Sequence, residues 1–201
     1  GYSVTIPHKE KAYQFATTSS DLVKEIGAAN TLVKTSNGFH AENTDATGII
    51  AAIKNKLGES LDKREALILG AGGVSRAAVF ALKKAGCNVK VCNRSAERAE
   101  KLASDAGVAT IPWNQRHDCK SGLLVNCTSV GMHPNENDSP WDSNYFTKDH
   151  IAFDTVYNPI ETRFLRDAAQ AHATIIDGVE MFVCQAAEQF NLASLASASL
   201  V

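Results

Sequence analysis

The sequence predicts an α/β protein whose main part is a doubly wound parallel sheet, preceded by part of a smaller α/β unit. From residue 65 onward, short apolar segments alternate with segments of helical spacing, a pattern typical of parallel strands joined by right-handed helical crossovers. Residues 1–44 interrupt that alternation and end in a segment typical of a hairpin, with Asn37-Gly38 at its turn. We therefore expect two units of different size.

Each element of the main part follows from its own pattern. The apolar segment EALILGAG (65–72) indicates a central strand, and a helical stripe of small apolar residues follows it. NVKVCN (88–93) predicts the next strand, and SAERAEKLASDAG (95–107) predicts a helix with a serine cap and a terminal glycine. The remaining predicted strands are 122–129, 151–157 and 173–178, and the remaining predicted helices are 9–26, 46–57, 162–172 and 179–196.

These elements divide the chain into four predicted parts. Residues 1–45 form the smaller unit, and residues 46–64 form a linking helix and a linker. Residues 65–178 form the parallel-sheet domain. Residues 179–201 form a C-terminal helix that we expect to pack back on the smaller unit.

Composition excludes several classes of protein. The net charge of −2 provides no basic surface for nucleic acid or for an anionic membrane. No apolar segment approaches the roughly 20 residues of a membrane span, and no signal peptide is visible. The five cysteines form no CxxC pair, so we predict reduced thiols, no metal site and a cytoplasmic location.

A glycine-rich turn is the clearest chemical motif. In LILGAGGVSRAA, Gly70, Gly72 and Ser75 follow a predicted strand and open a predicted helix. Glycines at such a turn let the backbone approach a pyrophosphate, and the helix N-terminus supplies amide donors. A glycine-rich turn can also serve packing alone, but the flanking strand and helix favour a Rossmann-type dinucleotide site.

The next strand indicates which dinucleotide binds. NAD-binding proteins usually carry a carboxylate at this point to hold the ribose 2′-hydroxyl. Here the sequence has Asn93, Arg94, Ser95 and Arg98, with no carboxylate before Glu97. Two guanidinium groups and a hydroxyl suit a 2′-phosphate, so we predict NADP. The alternative is that the two arginines are a solvated helix start.

Lys9 and Asp45 are weaker signals when taken alone. Lys9 follows a proline turn and Asp45 precedes the linking helix. A catalytic lysine needs a partner that holds it in place, and Asp45 is the candidate. Most such residues are surface charges, so spacing by itself does not assign them a role.

Taken together, the motifs resemble the NADP-dependent shikimate dehydrogenase family over nearly the full chain. Individually several segments are loose, but eight in the same order are specific. The matching segments are VTIPHK (4–9), IGAANTL (26–32), NTDATG (43–48), GAGGVSRA (70–77), NRS (93–95), NCTSVGM (126–132), DTVYNP (154–159) and GVEMFVCQAAEQF (178–190).

This resemblance implies an activity and a site. The family reversibly reduces 3-dehydroshikimate to shikimate, a precursor of the aromatic amino acids, with NADPH as hydride donor. Lys9 would exchange the proton at the reacting carbonyl, and Asp45 would position it. Thr5, Asn30, Tyr157 and Gln185 would contact the substrate. Residues 1–45 would be a partial substrate-binding domain, and 65–178 would be the NADP-binding domain. The residues implied at the cofactor are Gly70, Gly72, Gly73, Ser75, Asn93, Arg94, Ser95, Arg98, Asn126, Thr128, Ser129, Gly178 and Met181.

Other expectations follow from the family pattern. Family members carry a Ser-x-Ser motif in a segment before VTIPHK, so we expect this sequence to be part of a longer protein and to reduce dehydroshikimate poorly by itself. A homodimer and fusion to a dehydroquinate dehydratase are both left open. Two alternative functions also remain open at this point: a quinate/shikimate dehydrogenase of broader specificity, and a catalytically silent NADP-binding fragment.

Overall fold

The computed structural model describes residues 1–58 and 60–198, which form two sheets with helices packed against them. Glu59, in the predicted linker, and residues 199–201, at the end of the predicted C-terminal segment, lie outside the described residues. The smaller sheet has four strands in the order β1-β3-β4-β2. Its elements are β1 (Tyr2–Ser3), α1 (Lys9–Phe15), β2 (Thr18–Ser19), α2 (Asp21–Ile26), β3 (Thr31–Thr35) and β4 (Gly38–Glu42).

The larger sheet has six strands, all parallel, in the order β10-β9-β8-β5-β6-β7. From β5 the chain first adds β6 and β7 on one side of the sheet and then adds β8, β9 and β10 on the other side. The strand order therefore reverses between β5 and β8, and doubly wound sheets bind ligands at such a point. The predicted fold class is confirmed. The elements are β5 (Glu65–Leu69), α4 (Gly73–Lys84), β6 (Asn88–Cys92), α5 (Ala96–Ala106), β7 (Ala109–Thr110), β8 (Leu123–Asn126), β9 (Ile151–Asp154), α6 (Arg163–Gln170) and β10 (Thr174–Ile176).

Two helices connect the sheets. They are α3 (Asp45–Leu57) and α7 (Gly178–Ala198). Gly48 allows them to approach closely, because a Cβ at that position would lie 2.7 Å from the carbonyl oxygen of Met181. Gln189 of α7 also donates from Nε2 to the carbonyl oxygen of Asn30, at 3.1 Å, beside the smaller sheet. α7 therefore touches both α3 and the strand β3 region.

The N-terminal unit differs from its prediction in two details. Residues 9–26 are not one helix, because β2 separates α1 from α2 and pairs in parallel with β4. The hairpin turn lies one residue earlier than predicted, at 36–37, since Thr35 pairs with Gly38. Gly38 instead opens β4 with φ 132°, and a Cβ there would overlap the Thr17 hydroxyl. Glycine is therefore needed at position 38 because the backbone passes close to Thr17, and not because of the turn.

The apolar core fills both faces of the larger sheet. On one face, side chains of the sheet such as Ile68 and Val125 pack with Ile49 and Ile53 of α3. On the other face, Phe164 packs with other aromatic side chains at the α6 side of the sheet. Burial on both faces explains why the strands are apolar without alternation.

None of the helices within residues 1–58 and 60–198 combines the length and the apolar character that crossing a lipid bilayer requires.

Candidate active site

A buried ion pair joins the first residues of two helices. Lys9 begins α1 and Asp45 begins α3, and the lysine Nζ lies 2.5 Å from the aspartate Oδ2. The two residues are only 8% and 3% exposed. Burying such a pair costs desolvation energy for both charges. Removing one partner leaves the other charge buried and unpaired. The structure thus brings together the two side chains that spacing alone could not connect.

Asn30 extends this pair into a polar network. Its Nδ2 donates to Asp45 Oδ1 at 3.1 Å and to Thr44 Oγ1 at 2.9 Å, and it lies 3.0 Å from Gln185 Oε1 of α7. The two hydrogens of this amide therefore have three acceptors within reach. A ligand can displace one acceptor without leaving the amide unpaired. Of the sequence-predicted substrate residues, Asn30 and Gln185 are in direct contact.

Asn43 and Thr44, which directly precede Asp45, shape the site and were not predicted as site residues. Asn43 accepts from the Asp45 backbone N–H at 3.1 Å and donates to the Ala28 carbonyl at 2.8 Å. Thr44 donates from its hydroxyl to the Gln185 carbonyl at 3.0 Å. Short polar residues before a helix typically cap it, and this was the available signal in ENTD. Asn43 and Thr44 hold the aspartate in place and tie α3 to α7.

Thr5 and Tyr157 lie at more exposed positions. Thr5 is exposed in the segment between β1 and α1. Tyr157 is 51% exposed, and its ring packs on Phe182 of α7 with centroids 4.6 Å apart. Phe182 and Gln185 are three residues apart on this helix, so they share a face. The stacking therefore places Tyr157 on the same side of α7 as Gln185.

The glycine-rich turn lies against the lysine. A Cβ on Gly73 would lie 3.0 Å from the Cβ of Lys9, so any larger residue would press on the lysine stem here. Gly70 has φ 120°, and a Cβ there would lie 2.8 Å from the Ser75 hydroxyl. Ser75 is fully buried and accepts from the Gly72 N–H at 3.1 Å. Its buried hydroxyl shapes the turn from within the protein.

Gly72 is the open part of this turn. Among the described residues, no atom lies within 4 Å of a Cβ built on it. It precedes α4, whose first N–H groups lack partners within the helix. The turn therefore offers an uncovered glycine backbone next to a helix N-terminus, which suits an anionic group such as a pyrophosphate.

The segment after β6 carries the two arginines. Asn93 donates to the Ser95 carbonyl at 3.0 Å, and Ser95 caps α5 by accepting from the Arg98 N–H at 3.5 Å. The Arg94 and Arg98 side chains are exposed, and neither forms an ion pair with a residue that the structure describes. These two guanidinium groups therefore remain available to an external anion.

Several predicted cofactor residues have roles within the protein. Asn126 is fully buried, and its Oδ1 accepts from the Thr128 backbone and hydroxyl at 3.0 and 2.7 Å. Ser129 is exposed. Gly178 is required for packing, since a Cβ would lie 2.5 Å from the Val156 carbonyl. Met181 is 6% exposed and packs in the core. Asn126 and Thr128 thus determine the shape of the loop that follows β8.

A buried carboxylate supports that loop. Asp154 accepts from Asn126 Nδ2 at 3.0 Å, from the Val156 N–H at 3.0 Å and from the Thr162 hydroxyl at 2.6 Å. Burial raises the pKa of Asp154 to about 6, although the three donors partly oppose this. Asp154 lies in the DTVYNP segment, but its role could not be assigned from sequence. It joins the ends of β8 and β9 to the start of α6.

This pKa predicts how stability changes with pH. A carboxyl whose pKa is higher in the folded state stabilises the fold most when protonated, and that contribution is lost as pH rises through about 6. The full effect is about 3 kcal/mol, of which about 1 kcal/mol falls between pH 5 and pH 7. We therefore expect the difference in free energy of unfolding between the native protein and Asp154→Asn (native minus variant) to decrease from pH 5 to pH 7. Urea titrations at each pH measure this difference.

The control for this experiment is Glu161→Gln, which changes an exposed carboxylate near α6. Its difference from the native protein should stay constant between pH 5 and pH 7. A constant difference for Asp154→Asn as well would show that Asp154 titrates normally.

No group of three or more His, Cys, Asp or Glu side chains in the described part of the chain is arranged to hold a metal ion. All five cysteines are unpaired thiols. Burial raises the pKa of the Cys92 thiol to about 11, and it raises the pKa of Cys127 as well. These two thiols are therefore protonated near neutral pH and are poor nucleophiles.

Comparison with known proteins places this chain in a family. Family models described as "Shikimate / quinate 5-dehydrogenase" and "Shikimate dehydrogenase substrate binding domain" match residues 51–125 and 1–32. A shikimate dehydrogenase (NADP(+)) from Maricaulis maris is 40% identical over 198 residues, covering 95% of this chain and 69% of that relative. A bifunctional 3-dehydroquinate dehydratase/shikimate dehydrogenase from Arabidopsis thaliana is 36% identical, covering 96% of this chain and 35% of that protein.

The fold comparison agrees. A crystal structure of shikimate 5-dehydrogenase from Thermus thermophilus, in complex with NADP(H) and shikimate, superposes with a TM-score of 0.85 at 37% identity. The match covers 94% of this chain and 71% of that chain. The sequence identity, the coverage and the shared fold support the same assignment. This chain belongs to the shikimate/quinate 5-dehydrogenase family.

Proposed function

We propose that this protein catalyses the NADP-dependent reversible reduction of 3-dehydroshikimate to shikimate, with Lys9 and Asp45 as the catalytic pair. The observation that carries the proposal is the buried Lys9–Asp45 pair, which lies directly against Gly73 of the glycine-rich turn. A proton-transfer group and a dinucleotide-binding turn are thereby in contact. Family membership supports the substrate and the cofactor.

The pair suits the chemistry of carbonyl reduction. When bound, NADPH supplies a hydride to the substrate carbonyl carbon. The carbonyl oxygen then becomes an alkoxide, which the Lys9 ammonium stabilises and protonates. Asp45 accepts from Nζ through Oδ2, so it orients the ammonium. In the reverse direction, neutral Lys9 takes the proton from the substrate hydroxyl.

Polar groups around the pair suit a polyol substrate. Asn30 and Gln185 contact each other next to Asp45 and can exchange that contact for substrate hydroxyls. Thr5 and Tyr157 occupy exposed positions from which they would complete the contacts. Sites that hydrogen-bond substrate hydroxyls strongly reject analogues that lack them. We propose these four residues as substrate ligands.

The residues around the turn fit NADP. Gly72 is open to a pyrophosphate at the N-terminus of α4, and Arg94 and Arg98 are exposed beside Asn93, where a carboxylate would select NAD. The shape of the turn depends on Gly70, Gly73 and Ser75, and the shape of the segment with the two arginines depends on Ser95. Ser129 lies just beyond the end of strand β8, where doubly wound sheets bind ligands. Asn126 and Thr128 would act by shaping this loop, and Gly178 and Met181 by packing.

Assignments of larger parts of the chain are also proposals. We propose residues 1–45 as part of the substrate-binding domain, 46–64 as the linking helix and linker, 65–178 as the NADP-binding domain and 179–201 as a C-terminal segment that packs on the first part. The hydrogen bond from Gln189 of α7 to the Asn30 carbonyl supports the last assignment. A cytoplasmic location, a homodimer and fusion to a dehydroquinate dehydratase, as in the plant relative, stay predictions.

The test is NADP⁺ reduction, followed at 340 nm, with shikimate and separately with quinate. We expect reduction that depends on shikimate and on NADP⁺, and a much lower rate with NAD⁺. Equal rates with quinate would favour the broader quinate/shikimate dehydrogenase. Absence of reduction with both substrates, while NADPH still binds in a fluorescence titration, would contradict the proposed activity and favour an NADP-binding fragment.

A further inference from the structure

Arg76 connects the two units of the molecule at a point outside the catalytic pair. It lies in the first turn of α4, four residues after Gly72 of the glycine-rich turn. Its side chain is only 12% exposed. It runs toward α2 of the smaller unit, where it contacts Ile26. Arg76 belongs neither to the Lys9–Asp45 pair nor to the basic segment.

Two contacts hold the guanidinium group. Nε donates to the carbonyl oxygen of Ile26, the last residue of α2. Nη1 donates to Asp105 Oδ2 of α5 at 2.9 Å, and this hydrogen bond lowers the pKa of Asp105. Gly27 makes space for the group, since a Cβ there would lie 3.0 Å from Arg76 Nη2. The arginine thus links the larger unit to the end of α2.

The backbone that follows Ile26 supports the catalytic pair. We name residues 26–30 the anchor segment. Within it, the Ala28 carbonyl accepts from Asn43, which holds the start of α3, and the Ala29 N–H donates to the Lys9 carbonyl at 2.9 Å. Asn30, at its end, donates to Asp45. The anchor segment therefore contacts both members of the pair.

These contacts form a closed circuit. Helix α4 begins at Gly73, which lies against the side chain of Lys9. The Lys9 carbonyl accepts a hydrogen bond from the Ala29 N–H of the anchor segment. The Ile26 carbonyl of the anchor segment accepts a hydrogen bond from Arg76, which lies on α4. Removing Arg76 opens the circuit at Ile26. The lysine would then keep its aspartate but lose the constraint that the anchor segment transmits from α4.

We propose that Arg76 is a positioning residue, which keeps the Lys9–Asp45 pair at a constant distance from the glycine-rich turn through the anchor segment. This inference rests on the proposed function. A displacement of about 1 Å at a reacting group can lower a rate by about 100-fold. The effect on turnover should therefore exceed the effect on cofactor binding, because the guanidinium group contacts Ile26 and Asp105 and leaves Gly72 of the turn uncovered.

Arg76→Met tests the proposal, since methionine keeps an unbranched stem and removes both contacts. We expect kcat to fall by about 10- to 100-fold, while the KM for NADP⁺ stays within about twofold of the native value, near the scatter of distant substitutions. Arg76→Lys can keep one contact and should restore part of the loss. Lys101→Ala is the control, because this exposed side chain also contacts Asp105 but does not reach the anchor segment.

Hydrogen exchange provides a second measurement that needs no turnover. In Arg76→Met, peptides covering residues 22–33 should exchange faster, while peptides from the second half of α4 stay unchanged. Equal exchange in the native and variant proteins would overturn the proposal. It would also be overturned by faster exchange with unchanged kcat, or by parallel losses of stability, NADP⁺ binding and kcat, because either result indicates a purely structural role.

If the native protein shows no shikimate-dependent reduction, the proposed function fails. The exchange result then still decides whether Arg76 holds the anchor segment.

Discussion

Replacing Lys9 by methionine should abolish most turnover and leave NADPH binding nearly unchanged. General acid–base groups contribute about 10²- to 10⁴-fold to a rate, and the stem of Lys9 lies against the turn. The adenosine end of the cofactor would bind at the start of α5, after the neighbouring strand β6, and not at this residue. Steady-state kinetics and a fluorescence titration with NADPH measure the two quantities separately.

Stability complicates this experiment in a way that the structure predicts. Breaking a buried ion pair by removing one partner costs about 3 to 5 kcal/mol, because the other charge stays buried and uncompensated. Lys9→Met should therefore also destabilise the fold through Asp45, which is 3% exposed. The double variant Lys9→Met/Asp45→Asn should recover much of that loss, since neither charge remains.

This double variant separates chemistry from folding. It should be more stable than Lys9→Met and equally inactive. Lys11→Ala, which changes an exposed lysine on the same helix, should retain full activity. Recovery of activity together with stability in the double variant would show that Lys9 serves folding and does not transfer the proton.

The second large effect concerns the choice of cofactor. Replacing both Arg94 and Arg98 by alanine should weaken NADPH binding and leave NADH binding unchanged. A hydrogen bond to a charged group contributes about 1.5 to 3 kcal/mol, so each arginine should account for about 10- to 100-fold in affinity. Both side chains are exposed, so the free energy of unfolding should change by no more than about 0.5 kcal/mol.

Fluorescence titrations with NADPH and NADH at two salt concentrations measure this selectivity. Lys101→Ala, one turn further along α5, removes a positive charge from the same helix and serves as the control. The difference between the two cofactors should shrink at high salt in the native protein, because exposed charges are screened. A parallel loss of NADH affinity in the double variant would mean that the arginines do not recognise the 2′-phosphate.

Local sequence patterns were sufficient for most of the larger sheet. Its longer strands are largely apolar, although the short exposed strand β7 was not predicted. Helix α5 begins at Ala96, directly after the Ser95 cap, and ends before Gly107, as the capping residues predict. The glycine-rich turn was equally readable, because its backbone geometry requires glycine at particular positions. Such signals are local, so they survive in a single sequence without knowledge of the packing.

Less regular segments were harder to predict. The helical spacing of residues 9–26 concealed β2, whose two residues are stabilised by pairing with β4 and not by their own propensity. The hairpin turn falls before Gly38, which instead approaches Thr17, a residue outside the hairpin. Two-residue strands and turn registers depend on neighbours that are distant in the chain.

The sequence by itself determined the parallel-sheet fold, the glycine-rich turn and the basic segment that predicts NADP, because each depends on residues close together in the chain. The tertiary structure alone decided that Lys9 and Asp45 share a buried ion pair 36 residues apart in sequence. It also decided that Asn30 meets Gln185, and that Arg76 reaches Ile26. The physical reason is that these contacts form only when helices from separate units pack together, and no local periodicity records which side chains will then face each other.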